Sequence, residues 1–293
     1  MATSEEQPAS GRTLYVVATP LGNLRDMSLR ALDVLASVDL IAAEDTRVTA
    51  RLLAHHGIST RLLSLHEHNE RRRAAELIAL LGTGKSIALV SDAGTPAVSD
   101  PGAALVRSVA EAGFTIVPVP GPSAVIAALS ASGVAAQRWL FCGFLPAGAA
   151  ARGTELESLS RCACALVFYE APHRIAATLD ALVAAFGAER ELVIARELTK
   201  RFESIHRCRL ADAPAWLAAD ANRRRGEFVL IVGAPPVIAE ARDATEAEHD
   251  RTLSVLLAEL PLAQAVRIAT ALTGASRKRL YARALALASS RQG

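Results

Sequence analysis

Short apolar runs alternate with helical patterns along most of this chain. The runs at 14–18, 40–43, 61–65, 86–90 and 115–119 are too short for helices and read as buried strands. Helical patterns fall between them, over about 28–37, from Thr46 to about 56, over 70–81, and onward from Ala104 and Ala124. Such repeated strand-loop-helix units predict a parallel sheet covered on both faces. The pattern pauses at 133–138, where a domain boundary is expected. Beyond it, strands are predicted over 140–144, 165–169, 191–196, 204–209 and 227–232, with helices over about 154–160, 175–186 and 213–219. The last two strands have connections too short for parallel crossovers, so this sheet is expected to be mixed.

The remaining segments differ in character. Residues 234–247 carry Pro235-Pro236 and several charges, which suits a linker. Three helical patterns follow over 250–260, 262–272 and 276–288, punctuated by Pro261 and Gly274. They resemble a helix-turn-helix unit, and a plain helical bundle is the competing reading. Residues 1–12 are rich in Ser, Glu, Gln, Pro and Gly and read as a disordered lead-in. The expected layout is a tail (1–12), a parallel α/β domain (13–135), a mixed-sheet α/β domain (136–233), a linker (234–247) and a small helical domain (248–293).

Composition narrows the function. A chain of 293 residues with 51% apolar content buries roughly three-quarters of its unfolded surface, enough for two compact units. A net charge of +2 is too balanced for a general nucleic-acid binder, so affinity for polyanions must come from local clusters. Cys142, Cys162, Cys164 and Cys208 lack zinc-type spacing and read as reduced thiols, and no metal site is expected. No stretch approaches the roughly 18 apolar residues of a membrane span, and the N-terminus carries no export-type signal. A soluble, cytoplasmic protein is therefore expected, with no membrane partner.

The chemistry gathers in loops at the carboxyl ends of the predicted strands. Most conspicuous is Ser91-Asp92-Ala93-Gly94-Thr95-Pro96-Ala97-Val98-Ser99-Asp100-Pro101-Gly102, between a strand and a helix that Ser99 or Asp100 could cap. Open α/β sheets bind ligands in that crevice, and glycines let the backbone approach a small molecule. The loops at Thr19, Glu44 and Pro120 share the same end and build one neutral-to-acidic crevice with it. Neither GxGxxG nor GK[ST] occurs in the first loop, so nothing there promises to hold a phosphate. Asp92 is a natural acceptor for ligand donors, with loop bracing as its structural alternative. His66-Glu67-His68 offers two ligands without a third, and Arg71-Arg72-Arg73 and Arg223-Arg224-Arg225 read by default as solvated faces.

Eight segments in order make a specific resemblance. They are Thr19-Pro20-Leu21-Gly22-Asn23, Ala43-Glu44-Asp45-Thr46-Arg47, Ser91-Asp92-Ala93-Gly94-Thr95-Pro96, Pro120-Gly121-Pro122-Ser123-Ala124, Gly143-Phe144-Leu145-Pro146, Phe168-Tyr169-Glu170-Ala171-Pro172-His173-Arg174, Ala195-Arg196-Glu197-Leu198-Thr199-Lys200 and Gly226-Glu227-Phe228-Val229-Leu230. Together they resemble the small-subunit ribosomal RNA cytidine 2′-O-methyltransferase family, a branch of the tetrapyrrole-methylase superfamily. The likeness covers about 14–232, and the 260–285 tail resembles that branch's C-terminal helical domain. In the first loop, Leu21-Gly22-Asn23-Leu24 departs from the Pro-Gly-Asp-Pro type turn of the wider superfamily, and this departure separates the RNA-modifying branch from the porphyrin and cobalamin-precursor methylases.

The resemblance implies a tetrapyrrole-methylase-like α/β fold, with S-adenosylmethionine held in a cleft between two α/β domains of a homodimer. Its cofactor residues would be Pro20, Leu21, Gly22, Asp92, Gly94, Thr95, Ser123 and Ala124, joined by Tyr169, Ala195 and Glu227. The implied substrate is a decoding-centre cytidine of 16S ribosomal RNA in the small subunit, methylated on its ribose. A base must then collect one proton. Glu44, Asp45, Glu170, His173 and Lys200 are candidates, with Glu44 and Asp45 favoured, although Asp45 and Thr46 also suit a helix cap. Arg47, His173, Arg174, Arg277, Lys278 and Arg279 are the expected RNA contacts. Trp139, Tyr169 and Trp216 are the aromatic residues available for stacking on RNA bases. Two other readings compete: a methylase of a tetrapyrrole precursor, and a noncatalytic RNA-binding protein on the same scaffold.

Overall fold

The computed structural model describes residues 11–235 and 239–289, giving backbone alone for 239–247 and 288–289. The chain divides into two compact units, 1–234 and 235–293. Two five-stranded sheets make up the first.

In the first sheet, β1 (Thr13–Val17), β2 (Leu40–Ala43), β3 (Leu62–Ser64), β4 (Ile87–Val90) and β5 (Thr115–Val119) are all parallel, in the order β3-β2-β4-β1-β5. Every residue of β2 and β4 is buried, as strands covered on both faces require. One face packs Tyr15, Val17, Ile41 and Ala88 with α1 (Leu29–Ser37) and α2 (Thr46–His55) through Val34, Leu35, Leu52 and Leu53. The other packs Leu14, Leu40, Ile87 and Leu89 with α3 (Glu70–Gly82) and α4 (Ala103–Glu111) through Leu77, Leu81, Leu105 and Val109. The connections that leave β1 and β4 run to opposite faces, through α1 and α4, so the gap between these two neighbours is the switch point where open α/β sheets bind ligands.

The second sheet contains β6 (Trp139–Phe144), β7 (Ala165–Glu170), β8 (Glu191–Arg196), β9 (Ser204–Arg209) and β10 (Phe228–Val232) in the order β6-β7-β10-β8-β9. β6 and β7 are parallel and the other pairs antiparallel, so the sheet is mixed. α6 (Ala149–Leu159), α7 (Ile175–Phe186) and α8 (Ala213–Ala218) cover one face around Phe168, Leu179 and Leu230. α5 (Ala124–Ser132) covers the other, burying Val125 and Ala128 against Val167, Val193 and Ile231. This corrects the boundary expected at 135: α5 follows a first-sheet strand but belongs to the second sheet. Its run Ala-Val-Ile-Ala-Ala-Leu is apolar around most of the helix and serves either sheet equally well in sequence.

In the second unit, α9 (Ala239–Glu259), α10 (Leu262–Thr273) and α11 (Arg277–Ser289) share a core of Leu253, Val266, Ala269, Leu280 and Ala284. Gly274 ends α10 in the left-handed conformation. The expected linker is therefore helical from Ala239, because its run of Ala, Glu and Arg without Gly or Pro favours helix despite its charge. Residues 236–238 of that linker, and 1–10 of the expected tail, lie outside the described residues. Arg12 does not belong to a loose tail: its amide donates to the Lys85 carbonyl (2.8 Å) and its guanidinium lies over the Phe114 ring.

Candidate functional site

Main-chain bonds sew together three loops at the carboxyl ends of β1, β4 and β5. Thr19 and Gly94 exchange two backbone hydrogen bonds (2.8 and 2.9 Å), the Thr19 hydroxyl donates to the Ser91 carbonyl (3.0 Å), and the Thr95 hydroxyl donates to the Pro122 carbonyl (3.1 Å). Gly94 sits at φ +82°, where a side chain is strained. Opposite these loops stand the ends of β7, β8 and β10, and the two sets enclose a cavity of about 310 Å³.

The cavity brings together most of the expected cofactor residues. Leu21, Gly94, Thr95, Ser123 and Ala124 line it from the first sheet's loops and α5, and Tyr169, Ala195 and Glu227 line it from the second sheet. Pro20, Gly22 and Asp92 do not. Asp92 instead braces the neighbouring loop: its carboxylate accepts the Asp45 amide (2.9 Å), and its own amide reaches the Glu44 carboxylate (3.4 Å). Gly22 carries the stem of Lys200, since a Cβ there would meet Lys200 Cγ at 2.6 Å.

Two of the catalytic candidates, the favoured Asp45 and Lys200, are committed elsewhere. Asp45 caps α2 by accepting the Arg47 amide, and the Arg47 guanidinium beside it holds its carboxyl at about 2. That leaves Asp45 too weak a base for proton abstraction. Lys200 pairs with Glu227 (2.6 Å) and Glu197 (3.0 Å). Burial opposes its charge, but those two partners hold its ammonium above the usual lysine range, so it is a clasp rather than a base. Glu44 remains, its carboxyl raised by burial and by the charge of Asp92, next to the cavity rather than in its lining.

Asp100 lines the cavity, a position that the sequence reading as a cap did not anticipate. Its carboxyl is pushed up to about 6, first by burial and then by the charges of Glu44 and Asp92. The cap of α4 comes from far away in the chain: buried Glu70 accepts the Gly102 (3.1 Å) and Leu105 (2.8 Å) amides, which leaves Asp100 to face the cavity. Ala97 and Ser99 flank this turn at φ +66°, a strain of the kind stored at functional sites. Glu170, one of the base candidates, also lines the cavity; it is buried, accepts the Thr178 hydroxyl (2.5 Å) and pairs with Arg174 (3.2 Å). Among the described residues no Lys or Arg lines the cavity.

The expected RNA contacts separate. Arg174 is structural, donating to the Leu145 and Pro146 carbonyls and pairing with Glu170. The Arg47 side chain is 84% exposed, and His173 is exposed as well. Arg277, Lys278 and Arg279 are exposed at the start of α11 in the second unit. Trp216 is engaged within the fold, stacked on the His206 ring (4.4 Å) and with the Arg223 guanidinium 4.8 Å from its ring centroid. The Asn69 amide meets the His66 ring (3.0 Å), and among the described residues no group of three His, Cys, Asp or Glu could hold a metal ion. The four cysteines are free and pack against the second sheet's core.

Comparison with known proteins gives the geometry a family. The profile of the tetrapyrrole (corrin/porphyrin) methylases matches residues 13–214, and that of the RsmI C-terminal HTH domain matches 243–288. Ribosomal RNA small subunit methyltransferase I of Pseudomonas aeruginosa is 49% identical over 279 residues, covering 94% of this chain and 98% of that protein. Its namesake from Vibrio cholerae is 48% identical over 281 residues, covering 96% and 97%. The chain belongs to the ribosomal RNA small subunit methyltransferase I family. As a member it is an S-adenosylmethionine-dependent methyltransferase. More distant solved structures share the fold alone. The methyltransferase CobJ has a TM-score of 0.58 at 21% identity, covering 77% of this chain and 95% of that one. Uroporphyrin-III C-methyltransferase from Thermus thermophilus, complexed with S-adenyl homocysteine, has 0.54 at 17% identity, covering 75% and 97%.

The donor set fits the cofactor. S-adenosylmethionine has no phosphate and carries a positive sulfur, which suits a pocket of main-chain groups, apolar walls and carboxylates with no lining cation.

Proposed function

We propose that this protein methylates the ribose 2′-hydroxyl of a decoding-centre cytidine in 16S ribosomal RNA, acting in the cytoplasm as a homodimer. The observation that carries this reading is the cavity at the switch point, whose lining among the described residues holds carboxylates and no lysine or arginine. Leu21, Gly94, Thr95, Ser123 and Ala124 would hold the cofactor from one side, with Tyr169, Ala195 and Glu227 on the other. When bound, S-adenosylmethionine supplies an electrophilic methyl group on a sulfonium. The protein's main work is alignment of the acceptor oxygen, a device worth about 7–11 kcal/mol in well-oriented systems. Asp100, with Glu44 beside it, is placed to receive the hydroxyl proton. Burial holds Tyr169 above the ordinary phenol range, so it stays a neutral donor there. Arg47, His173 and the Arg277-Lys278-Arg279 turn are exposed for phosphate contacts. Trp139 and Leu140 on edge strand β6 are exposed large apolar side chains that suit a second copy.

The test is to incubate the protein with methyl-labelled S-adenosylmethionine and small ribosomal subunits, digest the RNA to nucleosides and analyse them by mass spectrometry. Label on the ribose of one cytidine is the expected result. Label on a base, label only in a porphyrin precursor offered in parallel, or no label at all would each end the proposal. Light scattering of the pure protein tests the dimer separately, with a monomer mass as the adverse result.

A further inference from the structure

The β8–β9 hairpin ends in an exposed aromatic with cations around it. Phe202 at its tip is 63% exposed, and the Arg201 guanidinium lies 5.5 Å from its ring centroid. A large exposed phenyl is unusual on a tip built of polar residues, and here its backbone is held rather than loose. Arg196 donates to the Phe202 carbonyl (3.2 Å), to the Asn222 carbonyl (2.8 Å) and to the Arg225 carbonyl (2.6 Å). One guanidinium thus fastens the tip to the 222–225 segment, gathering Arg201, Phe202, Arg224 and Arg225 into one surface. The turn is fixed further by the Glu203 carboxylate on the Thr199 amide (2.5 Å), with Glu197 and Thr199 both at positive φ. Arg223 is spent on Trp216, to whose carbonyl it also donates (2.7 Å). Arg201, Arg224 and Arg225 are exposed and join no ion pair among the described residues. The carboxylates of these segments are engaged: Glu203 accepts the Thr199 amide, Asp220 accepts the Asn222 amide, and Glu197 and Glu227 share Lys200.

The surface adjoins the cavity. Leu198 and Glu227, which line it, lie in the same two segments as Phe202 and Arg225. Single-stranded RNA is read by bases stacked on aromatic rings, with arginines on the phosphates between them. We infer that Phe202, with Arg201, Arg224 and Arg225, is a stacking platform for an unpaired nucleotide of the RNA next to the one entering the cavity. This rests on the RNA-methyltransferase reading above. The ring takes the base face, and Arg224 and Arg225 take the flanking phosphates.

The experiment measures fluorescence anisotropy of a labelled single-stranded RNA oligonucleotide with a central cytidine, and of its duplex with the complement, against the full-length protein. Phe202→Ala should weaken single-strand binding about tenfold, and Phe202→Trp should restore it. Arg224→Ala combined with Arg225→Ala should lower the slope of log affinity against log salt by about 1.4, two phosphates at about 0.7 each. Calorimetry should give the same S-adenosylhomocysteine affinity for every variant, which shows that each one folds. Unchanged oligonucleotide binding and salt slope in both variants, while the wild type binds and methylates, would overturn the platform and leave the activity standing. Loss of subunit binding with oligonucleotide binding intact would mean a ribosomal protein as the partner, and would also overturn it. A wild-type protein that binds neither oligonucleotide nor subunit removes the activity and the platform together.

Discussion

The first sheet meets the cavity with backbone, and the second meets it with side chains. Thr19 and Gly94 pair through their main chains, and Gly121 lies so close to β1 that a Cβ on it would be 3.1 Å from that of Ala18. Across the cavity, Tyr169, Glu170 and Glu227 present rings and carboxylates, held by two charge networks, Glu170–Arg174 and Glu197–Lys200–Glu227. A wall of main chain depends on small residues and allowed conformations, and it has little to lose to charge changes. A wall of side chains depends on anchors that are themselves charged and partly buried. The two halves should therefore fail in different ways.

The largest effect is expected at Gly226, where the second half's network has no spare room. Its φ is +91°, and a Cβ would lie 2.4 Å from Glu197 Cγ and 2.6 Å from Oε1, the oxygen that receives Lys200 Nζ and the Glu227 amide. Gly226→Ala should cost about 2–4 kcal/mol in urea unfolding, strain and overpacking together. It should also abolish S-adenosylhomocysteine binding. A variant of wild-type stability and affinity would show that the side-chain half does not depend on Glu197. Glu70→Ala is the counterpart for the backbone half, and the next largest. It leaves two buried amides at the start of α4 without their acceptor, at a cost of about 1–3 kcal/mol. Amide exchange should accelerate at Gly102 and Leu105 but stay slow in β10; acceleration in both would mean that the halves are one cooperative piece.

The same contrast explains what was legible in the sequence. The central strands lie where short apolar runs stand, because strands buried on both faces leave no polar gaps, as in Leu40-Ile41-Ala42-Ala43; the edge strand β9, Ser-Ile-His-Arg-Cys-Arg, is only partly buried and carries polar residues. The first half of the cavity was readable because turns such as Ala93-Gly94-Thr95 demand small residues in a local string. The second half is legible only through the resemblance, which brings in Tyr169, Ala195 and Glu227; Phe144, Glu170 and Phe228 reach the cavity from separate strands that only the fold joins. Asp100 looked like a cap because the true acceptor for α4, Glu70, is more than thirty positions upstream and no local rule points to it. Asp92 looked like a ligand group because sequence gives its position at a strand end but not its bond to the Asp45 amide. α9 begins earlier than the charged composition of its first turns suggests, because the helix propensity of its Ala, Glu and Arg run prevails.

Asp100 is the charged group that the backbone half contributes, and it sharpens the comparison through pH. Its folded-state pKa, about 6, lies above the ordinary 3.8, so the folded protein holds an extra proton between those values. The stabilising contribution is full below about 3.8 and is lost as pH rises through about 6. Asp100→Asn should remove that part of the decline in melting temperature between about pH 4 and pH 6. Ionised Asp100 should also favour a positive sulfur over a neutral one. The preference for S-adenosylmethionine over S-adenosylhomocysteine should therefore grow with pH through about 6 in the wild type and stay flat in the variant. A preference flat in both would place the sulfur away from this carboxylate.

The smallest effect belongs to Arg47, the residue on the backbone side with the least to hold. Its guanidinium pairs with Asp45 at 2.6 Å, but its side chain is 84% exposed, so solvent screens the pair. The cap on α2 survives Arg47→Ala, because Asp45 accepts the backbone amide of position 47, which alanine keeps. The lost guanidinium lets the Asp45 carboxyl climb from about 2 toward its ordinary 3.8. A depressed carboxyl contributes stability above its unfolded value and loses it as pH falls through the folded one. The small gap in melting temperature between wild type and variant should therefore be constant above about pH 4 and close as pH falls toward about 2. A gap that widened on acidification would mean that Arg47 answers to some group other than Asp45. If methylation of the subunit fell at neutral pH while the melting temperature held, Arg47 would serve the RNA rather than the fold.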